Sequence, residues 1–159
     1  MPIRNRAMVL GLAALLQAPQ ALAQDNAACA SMTGSWLATI ENGSGAYASR
    51  AILTVHGDGT FSVVDSAQHQ GVQGSAFSSQ AGSWRCTAAD KASGRTLNFG
   101  FPPRESLARS DWTLSHDGKS LSGTVALHIF AGVKDVDIAR AESKPVDTFR
   151  FTTQRVSAP

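Results

Sequence analysis

The chain has 159 residues, of which 43% are hydrophobic and 16% are charged, and its mean hydropathy is −0.08. These values allow one ordinary domain and exclude collagen-like, disordered and multi-span membrane proteins. Because the formal net charge is only +2, no large basic surface is predicted for a nucleic acid or an anionic membrane.

The N-terminal residues have the three parts of a secretory signal peptide. Arg4 and Arg6 form a positively charged start, residues 7–16 form an apolar run, and Ala21-Leu22-Ala23 is a small-residue cleavage site. The apolar run is too short to span a bilayer, and no later stretch contains roughly 18 consecutive apolar residues. We therefore predict a signal peptide at residues 1–23, no membrane span, and a secreted or periplasmic location.

Residues 24–159 form the predicted domain, which contains both cysteines of the chain. Export would bring Cys29 and Cys86 into an oxidising compartment, where pairing is favoured. Closing a loop of this length stabilises a fold by about 4 kcal/mol in the chain-entropy model. We predict a disulfide that holds the N-terminal lead-in segment on the domain. A redox or nucleophilic role is the weaker alternative, because the two cysteines do not form a CxxC motif.

Short segments of alternating apolar and polar residues predict strands throughout the domain, whereas helical periodicity never extends beyond about two turns. Gly57-Asp58-Gly59 and Asp117-Gly118 are typical of tight hairpins, so neighbouring strands are predicted to be antiparallel. This strand count fits a barrel or a sandwich. In chain order, the predicted strands are 36–40, 51–55, 61–63, a short strand around Trp84, 97–101, 112–114, 121–129 and 149–156.

Two segments do not follow this strand pattern. Ser66–Gly82 is composed mostly of Gly, Ser, Gln and Ala, which predicts a mobile loop. This loop is either a lid over a cavity mouth, with Val72 and Phe77 as apolar contacts, or a solvated connection. Val133–Val146 is either an edge strand or a long loop, because Lys144-Pro145 interrupts its alternation.

Several motifs along the domain carry a family resemblance. They are GSW at 34–36, LTVHGDGT at 53–60, GSW at 82–84, DGKSLSGT at 117–124 and RV at 155–156.

This arrangement is similar to bacterial lipocalin-like proteins and the wider calycin group, and it spans nearly all of the domain. The resemblance implies a single all-β, antiparallel, up-and-down barrel of about eight strands. It also implies that Trp36 packs under Arg155 to close one end. A guanidinium on an indole face in a desolvated barrel floor would gain roughly 0.5 to 2 kcal/mol.

The alternation also predicts which side chains face the interior of the barrel. The candidate ligand-binding residues are Phe99, Phe101, Trp112 and Leu127, with Phe77 above them in the loop; together they would suit a flat or aliphatic hydrophobic molecule. A completely filled core is the alternative. The full set of predicted inward residues is Trp36, Ala38, Ile40, Leu53, Val55, Phe61, Val63, Trp84, Leu97, Phe99, Phe101, Trp112, Leu114, Leu121, Val125, Leu127, Ile129, Phe149 and Phe151, with Arg155 in phase.

Almost every titratable side chain of the strands is predicted to face outward, including His56 and His128 as surface residues. Acid–base or nucleophilic catalysis needs such a group in the pocket, and a metal site needs about three suitable ligands. We therefore predict no catalytic residues, no metal site and no cofactor. The leading hypothesis is an exported calycin-like barrel that binds a small hydrophobic ligand; no oligomeric state is predicted.

Two alternatives remain open. The first is a barrel isomerase or cyclase that acts on an apolar substrate and needs a buried carboxylate, for which Glu41, Asp65 and Asp111 are the candidates. The second is a periplasmic protein-binding module similar to a protease inhibitor. In that case Gln24–Thr33 would have to leave the barrel and enter the partner's cleft.

Overall fold

The computed structural model describes residues 26–69, 76–102, 105–131 and 144–157. Its strands form a closed antiparallel barrel in sequence order, with the last strand paired to the first. The predicted all-β, up-and-down barrel is confirmed. The strands are β1 (Gly34–Glu41), β2 (Tyr47–Val55), β3 (Thr60–Asp65), β4 (Gln80–Ala88), β5 (Lys91–Gly100), β6 (Ser106–His116), β7 (Leu121–Ala131) and β8 (Asp147–Arg155), with short 3₁₀ helices η1 (Ala27–Met32) and η2 (Ser66–His69).

Some predictions fall on residues outside the described ranges. These are the signal peptide at 1–23, the lid contact Val72 and most of the ambiguous segment, residues 133–143. Within the described ranges, no helix combines the length and apolar character needed to cross a membrane.

The two predicted hairpin turns are present, and each contains a glycine in the left-handed region. Gly59 has φ +88° and Gly118 has φ +92°. In the second turn, the Asp117 carboxylate accepts hydrogen bonds from the backbone N–H groups of Lys119 (2.9 Å) and Ser120 (2.7 Å) and from the Ser120 hydroxyl (3.0 Å). Because these donors favour the charged form, they lower the pKa of Asp117 from 3.8 to about 2.

The hydrophobic core fills the end of the barrel at which β1 begins. Trp36, Leu53, Phe61 and Phe151 are almost completely buried there. Burial confirms the predicted inward orientation of most apolar strand residues, namely Trp36, Ala38, Ile40, Leu53, Val55, Phe61, Val63, Trp84, Trp112, Leu114, Leu121, Val125 and Phe151.

Strand β5 faces the opposite way from the prediction. Phe99 and Phe101 were predicted to point inward with Leu97, but they are 53% and 45% exposed. Thr96 and Asn98 are buried instead. The predicted inward orientation is therefore wrong for Phe99 in β5 and for Phe101 directly after it, because the inward positions are shifted by one residue.

The pairing of β5 with its neighbours explains this shift. Gly94 is paired with Trp84 on one side and with Trp112 on the other, and both indoles point into the barrel. Residues paired across antiparallel strands lie on the same face, so Gly94 also faces inward. A Cβ on Gly94 would lie 3.1 Å from the Phe61 ring, so the glycine leaves room for this aromatic core residue.

The closed end of the barrel is built around the first GSW motif. The Arg155 guanidinium lies 4.4 Å from the Trp36 ring centroid and donates to the Ser31 carbonyl at 2.6 Å, while the indole N–H donates to the Met32 carbonyl at 2.9 Å. Gly34 has φ +131°, and a Cβ there would lie 3.0 Å from the guanidinium. Arg155 is exposed rather than desolvated, so the cation–π attraction falls in the lower range, about 0.5 to 1 kcal/mol.

The predicted disulfide between Cys29 and Cys86 is confirmed. It joins η1 to β4, and the Asn26 side chain supports the same junction by accepting the Cys86 backbone N–H at 2.8 Å. The lead-in segment is thus held on the closed end by a covalent bond.

The two segments with ambiguous sequence patterns contain more pairing than expected. The predicted loop Ser66–Gly82 begins with η2 and ends inside β4, and Phe77 forms an isolated bridge with Gly100. Just before β8, the Val146 backbone N–H donates to the Leu127 carbonyl at 2.7 Å.

We expect Trp36→Ala to lower the free energy of unfolding by about 3 to 5 kcal/mol, because the indole is fully buried and the substitution leaves a cavity. Urea unfolding measures the change. Tyr47→Ala is the control, since Tyr47 is 64% exposed and its loss should change stability by about 0.5 kcal/mol or less. A loss below about 1 kcal/mol for Trp36→Ala would contradict this packing.

The lowered pKa of Asp117 predicts acid-dependent stability. A carboxylate with a lowered folded-state pKa stabilises the fold above the unfolded value, and this contribution is lost as the pH falls from 3.8 to about 2. Across this window, Asp117→Asn should show a shallower decrease in unfolding free energy than the wild type. Urea titrations at several pH values test this difference, and equal slopes in the two proteins would refute it.

Candidate functional site

The end of the barrel opposite Trp36 contains a cavity of about 280 Å³. This volume lies just below the ≈ 300–1,000 Å³ typical of small-molecule pockets. Apolar side chains dominate the walls, and small residues near the rim leave the space open. The larger apolar lining residues are Ile40, Phe77, Trp112, Val125, Leu127, Ile129 and Phe149, and the small ones are Ala48, Ala67, Ala76, Gly100 and Ala108.

Trp112 is held by packing and by hydrogen bonds at the base of this cavity. Its ring makes edge-to-face contacts with Phe61 and Phe151 at centroid distances of 5.3 and 5.5 Å. The indole N–H donates to the Thr96 hydroxyl at 2.9 Å, and that hydroxyl donates to the Gln80 side-chain carbonyl at 2.6 Å. These two hydrogen bonds link β6, β5 and β4 and hold the floor of the cavity in place.

The wall formed by β5 and β6 presents two polar side chains to the cavity. Asn98 is 7% exposed and Ser110 is 2% exposed, and both line the cavity. Neither side chain forms a hydrogen bond with another described residue, and neither has a fully enclosed polar atom without a partner, so these atoms reach the open cavity. They are therefore suited to hydrogen-bond the polar part of a bound molecule.

Asp65, at the end of β3, lies on the cavity wall. One of its carboxylate oxygens accepts the Ser49 hydroxyl at 3.0 Å, and the other accepts the Ala67 backbone N–H at 2.7 Å. Of the described lining residues it is the one charged side chain, and none of the described cationic side chains forms an ion pair with it. The expected charge-free interior is therefore wrong at this position.

The structure separates the five predicted ligand-binding residues into two groups. Trp112, Leu127 and Phe77 line the cavity. Phe99 and Phe101 lie outside it and line a separate groove on the outer surface. The predicted pocket therefore retains three of its five residues.

The other two candidate carboxylates do not face the cavity. Glu41 is exposed, and Asp111 lies on the outer face of β6. There Asp111 forms ion pairs with Arg95 (2.6 Å) and Arg109 (3.1 Å), and His128 approaches it to 3.4 Å. His128 faces outward as predicted, but it is only 6% exposed and is thus not a surface residue.

No metal-binding cluster of three or more His, Cys, Asp or Glu side chains occurs among the described residues. His56 and His69 are exposed. His116 packs edge-on against Trp36 at the closed end, with ring centroids 5.8 Å apart. Asp65 is therefore the one titratable side chain at the cavity in the part of the chain that the structure describes.

Thr96, Asn98 and Ser110 were not among the residues predicted for the site. The available signal was the second GSW motif, since an inward Trp84 makes its partner Gly94 inward and places Thr96 and Asn98 on the same face. Using that signal requires the register of the β4–β5 hairpin, which the sequence pattern did not reveal.

Comparisons with protein-family models, with curated proteins and with solved structures found no match to this chain.

We expect Thr96→Val to lower the free energy of unfolding by about 1 to 3 kcal/mol, because it leaves the buried Trp112 N–H and the Gln80 carbonyl without their partner. Thr113→Val is the matched control, since Thr113 forms an exposed hydroxyl pair with Thr124 on the outer face. That variant should lose about 0.5 kcal/mol or less. Equal losses in urea unfolding would argue against the buried network.

Proposed function

We propose that the protein is an exported, calycin-like barrel that binds a small, mainly hydrophobic molecule in the cavity above Trp112. The observation that carries this proposal is the division of the barrel into a packed end and a hollow end. The hollow end has apolar walls, a rigid aromatic floor and a few polar groups, which is the usual composition of a small-molecule site.

The lipocalin-like assignment belongs to the same proposal. Its support is the closed eight-stranded barrel together with the contact between Trp36 and Arg155, which the motif resemblance implied. The hairpins at Gly59 and Gly118 lie within two of the other three motifs, LTVHGDGT and DGKSLSGT.

A secreted or periplasmic location is also part of the proposal. The disulfide between Cys29 and Cys86 supports it, because such bonds persist in oxidising compartments. The sequence of residues 1–23 supplies the export signal in this proposal.

One observation favours a second candidate function, a barrel isomerase or cyclase that acts on an apolar substrate. Asp65 places a carboxylate on the cavity wall, as that function requires. A general acid–base mechanism also needs an orienting or proton-accepting partner. The side chain that contacts Asp65 is the Ser49 hydroxyl, which is a weaker basis for catalysis than the cavity is for binding.

The protein-binding alternative has less support. It requires the lead-in segment to leave the barrel, but Cys29 is bonded to Cys86, and the Trp36 indole donates to the Met32 carbonyl at the end of η1.

We expect saturable binding of the uncharged dye N-phenylnaphthylamine, observed as an increase in dye emission and a change in tryptophan emission. Ala108→Phe should weaken this binding by about tenfold or more, because it fills part of the cavity. Ile52→Phe is the matched control, since Ile52 is 47% exposed on the outer face and its replacement should leave affinity unchanged. Non-saturable dye uptake, or equal affinity in both variants, would overturn the proposed function.

A further inference from the structure

The polar groups of the cavity are not explained by a purely hydrophobic ligand. Asp65, Asn98 and Ser110 all line it. Burying a polar group without a hydrogen-bond partner is unfavourable, and apolar side chains at these positions would suit a hydrocarbon better. Their chemistry therefore carries information about the bound molecule.

Asp65 determines the charge that the cavity favours. A carboxylate has about four lone-pair sites, and the Ser49 hydroxyl and the Ala67 N–H use two of them. None of the described Lys, Arg or His side chains forms an ion pair with Asp65. The negative charge is thus hydrogen-bonded but not neutralised by a cation in the part of the chain that the structure describes.

Asn98 and Ser110 add oxygen acceptors to the same cavity. Each residue is at least nine-tenths buried, and within the described ranges neither side chain forms a hydrogen bond, so its polar atoms are left open to the cavity. An ammonium group has three N–H donors and no acceptor. A carboxylate together with neutral oxygen acceptors is therefore a complementary set of partners for such a group.

We propose that the ligand is a hydrophobic amine, a molecule with an apolar body and a protonated amino group. The ammonium donates to the free lone pairs of Asp65 and to the side-chain oxygens available in the cavity, while the apolar body lies against Trp112 and Leu127. This inference rests on the proposed function and specifies its ligand class. An organic anion such as a fatty acid carboxylate is disfavoured, because it would meet the Asp65 charge without a described cationic partner on the wall.

Three ligands with the same apolar ring test the inference: naphthylmethylamine, naphthalenemethanol and naphthoate. At neutral pH they carry an ammonium, an uncharged hydroxyl and a carboxylate. In isothermal titration calorimetry with the whole chain, we expect the amine to bind about tenfold or more tightly than the alcohol, since charge-assisted hydrogen bonds are the stronger ones. Naphthoate should bind most weakly.

The variant Asp65→Asn separates the charge from the structural role of this residue. Asparagine retains a side-chain oxygen that can accept the Ala67 N–H. The amine affinity should fall about tenfold, to the level of the alcohol, and the alcohol affinity should change by less than about threefold. Glu41→Gln is the matched control: it removes the same charge from an exposed residue one position beyond Ile40, a lining residue, and should leave all three affinities unchanged.

Asn98→Leu tests the neutral part of the site. This substitution removes a buried polar group without changing charge, so it should weaken the amine and the alcohol together. A role of Asn98 in folding alone would lower stability in urea without changing the affinity of the folded protein for either ligand.

The possible outcomes distinguish the two proposals. If the amine and the alcohol bind the wild type equally, or if naphthoate binds most tightly, the amine inference is wrong while hydrophobic binding stands. If none of the three ligands and no N-phenylnaphthylamine binds the folded protein, both proposals fail. The wild-type comparison decides the question even if Asp65→Asn does not fold.

Discussion

The closure of the barrel imposes one constraint on which the rest of the structure depends: residues paired across neighbouring antiparallel strands must lie on the same face. Gly94 in β5 is paired with Trp84 in β4 on one side and with Trp112 in β6 on the other. Because both indoles are buried inside, the whole of β5 takes its orientation from them. The consequence is a strand that places Thr96 and Asn98 in the interior and its aromatic residue, Phe99, outside.

The barrel has a packed end and a hollow end. At the closed end the inward positions carry large side chains such as Trp36 and Phe61, and these fill the space. Toward the open end the inward positions of β5 and β6 carry Asn98, Ala108 and Ser110, which are too small to meet across the barrel. An eight-stranded barrel is just wide enough to be filled by its own side chains, so small residues at one end are sufficient to leave a cavity there.

Much of the fold could be predicted because alternation and turn residues agree in most strands. Gly59 and Gly118 adopt the positive φ that their hairpins require. The prediction failed at β5 because Phe99 and Phe101 are apolar but exposed; the burial rule is one-way, and an exposed hydrophobic residue does not violate it. The preceding turn contains Asp90, a non-glycine residue with φ +58°, and the register shifts between Cys86 and Ala88. Neither feature has a distinctive sequence signal.

The candidate site was less predictable than the fold, for a physical reason. Asp65 is in phase with Phe61 and Val63, so alternation alone, extended by one more step, places this carboxylate on the inner face. The volume of the cavity beside Asp65 cannot be obtained in this way. It depends on how side chains from all eight strands and from the segment around Phe77 fail to fill a common space. Alternation gives the direction of each side chain but not the distance between opposite walls. A ligand that occupies this space must therefore match a polar pattern that the sequence contains and a shape that only the closed barrel defines.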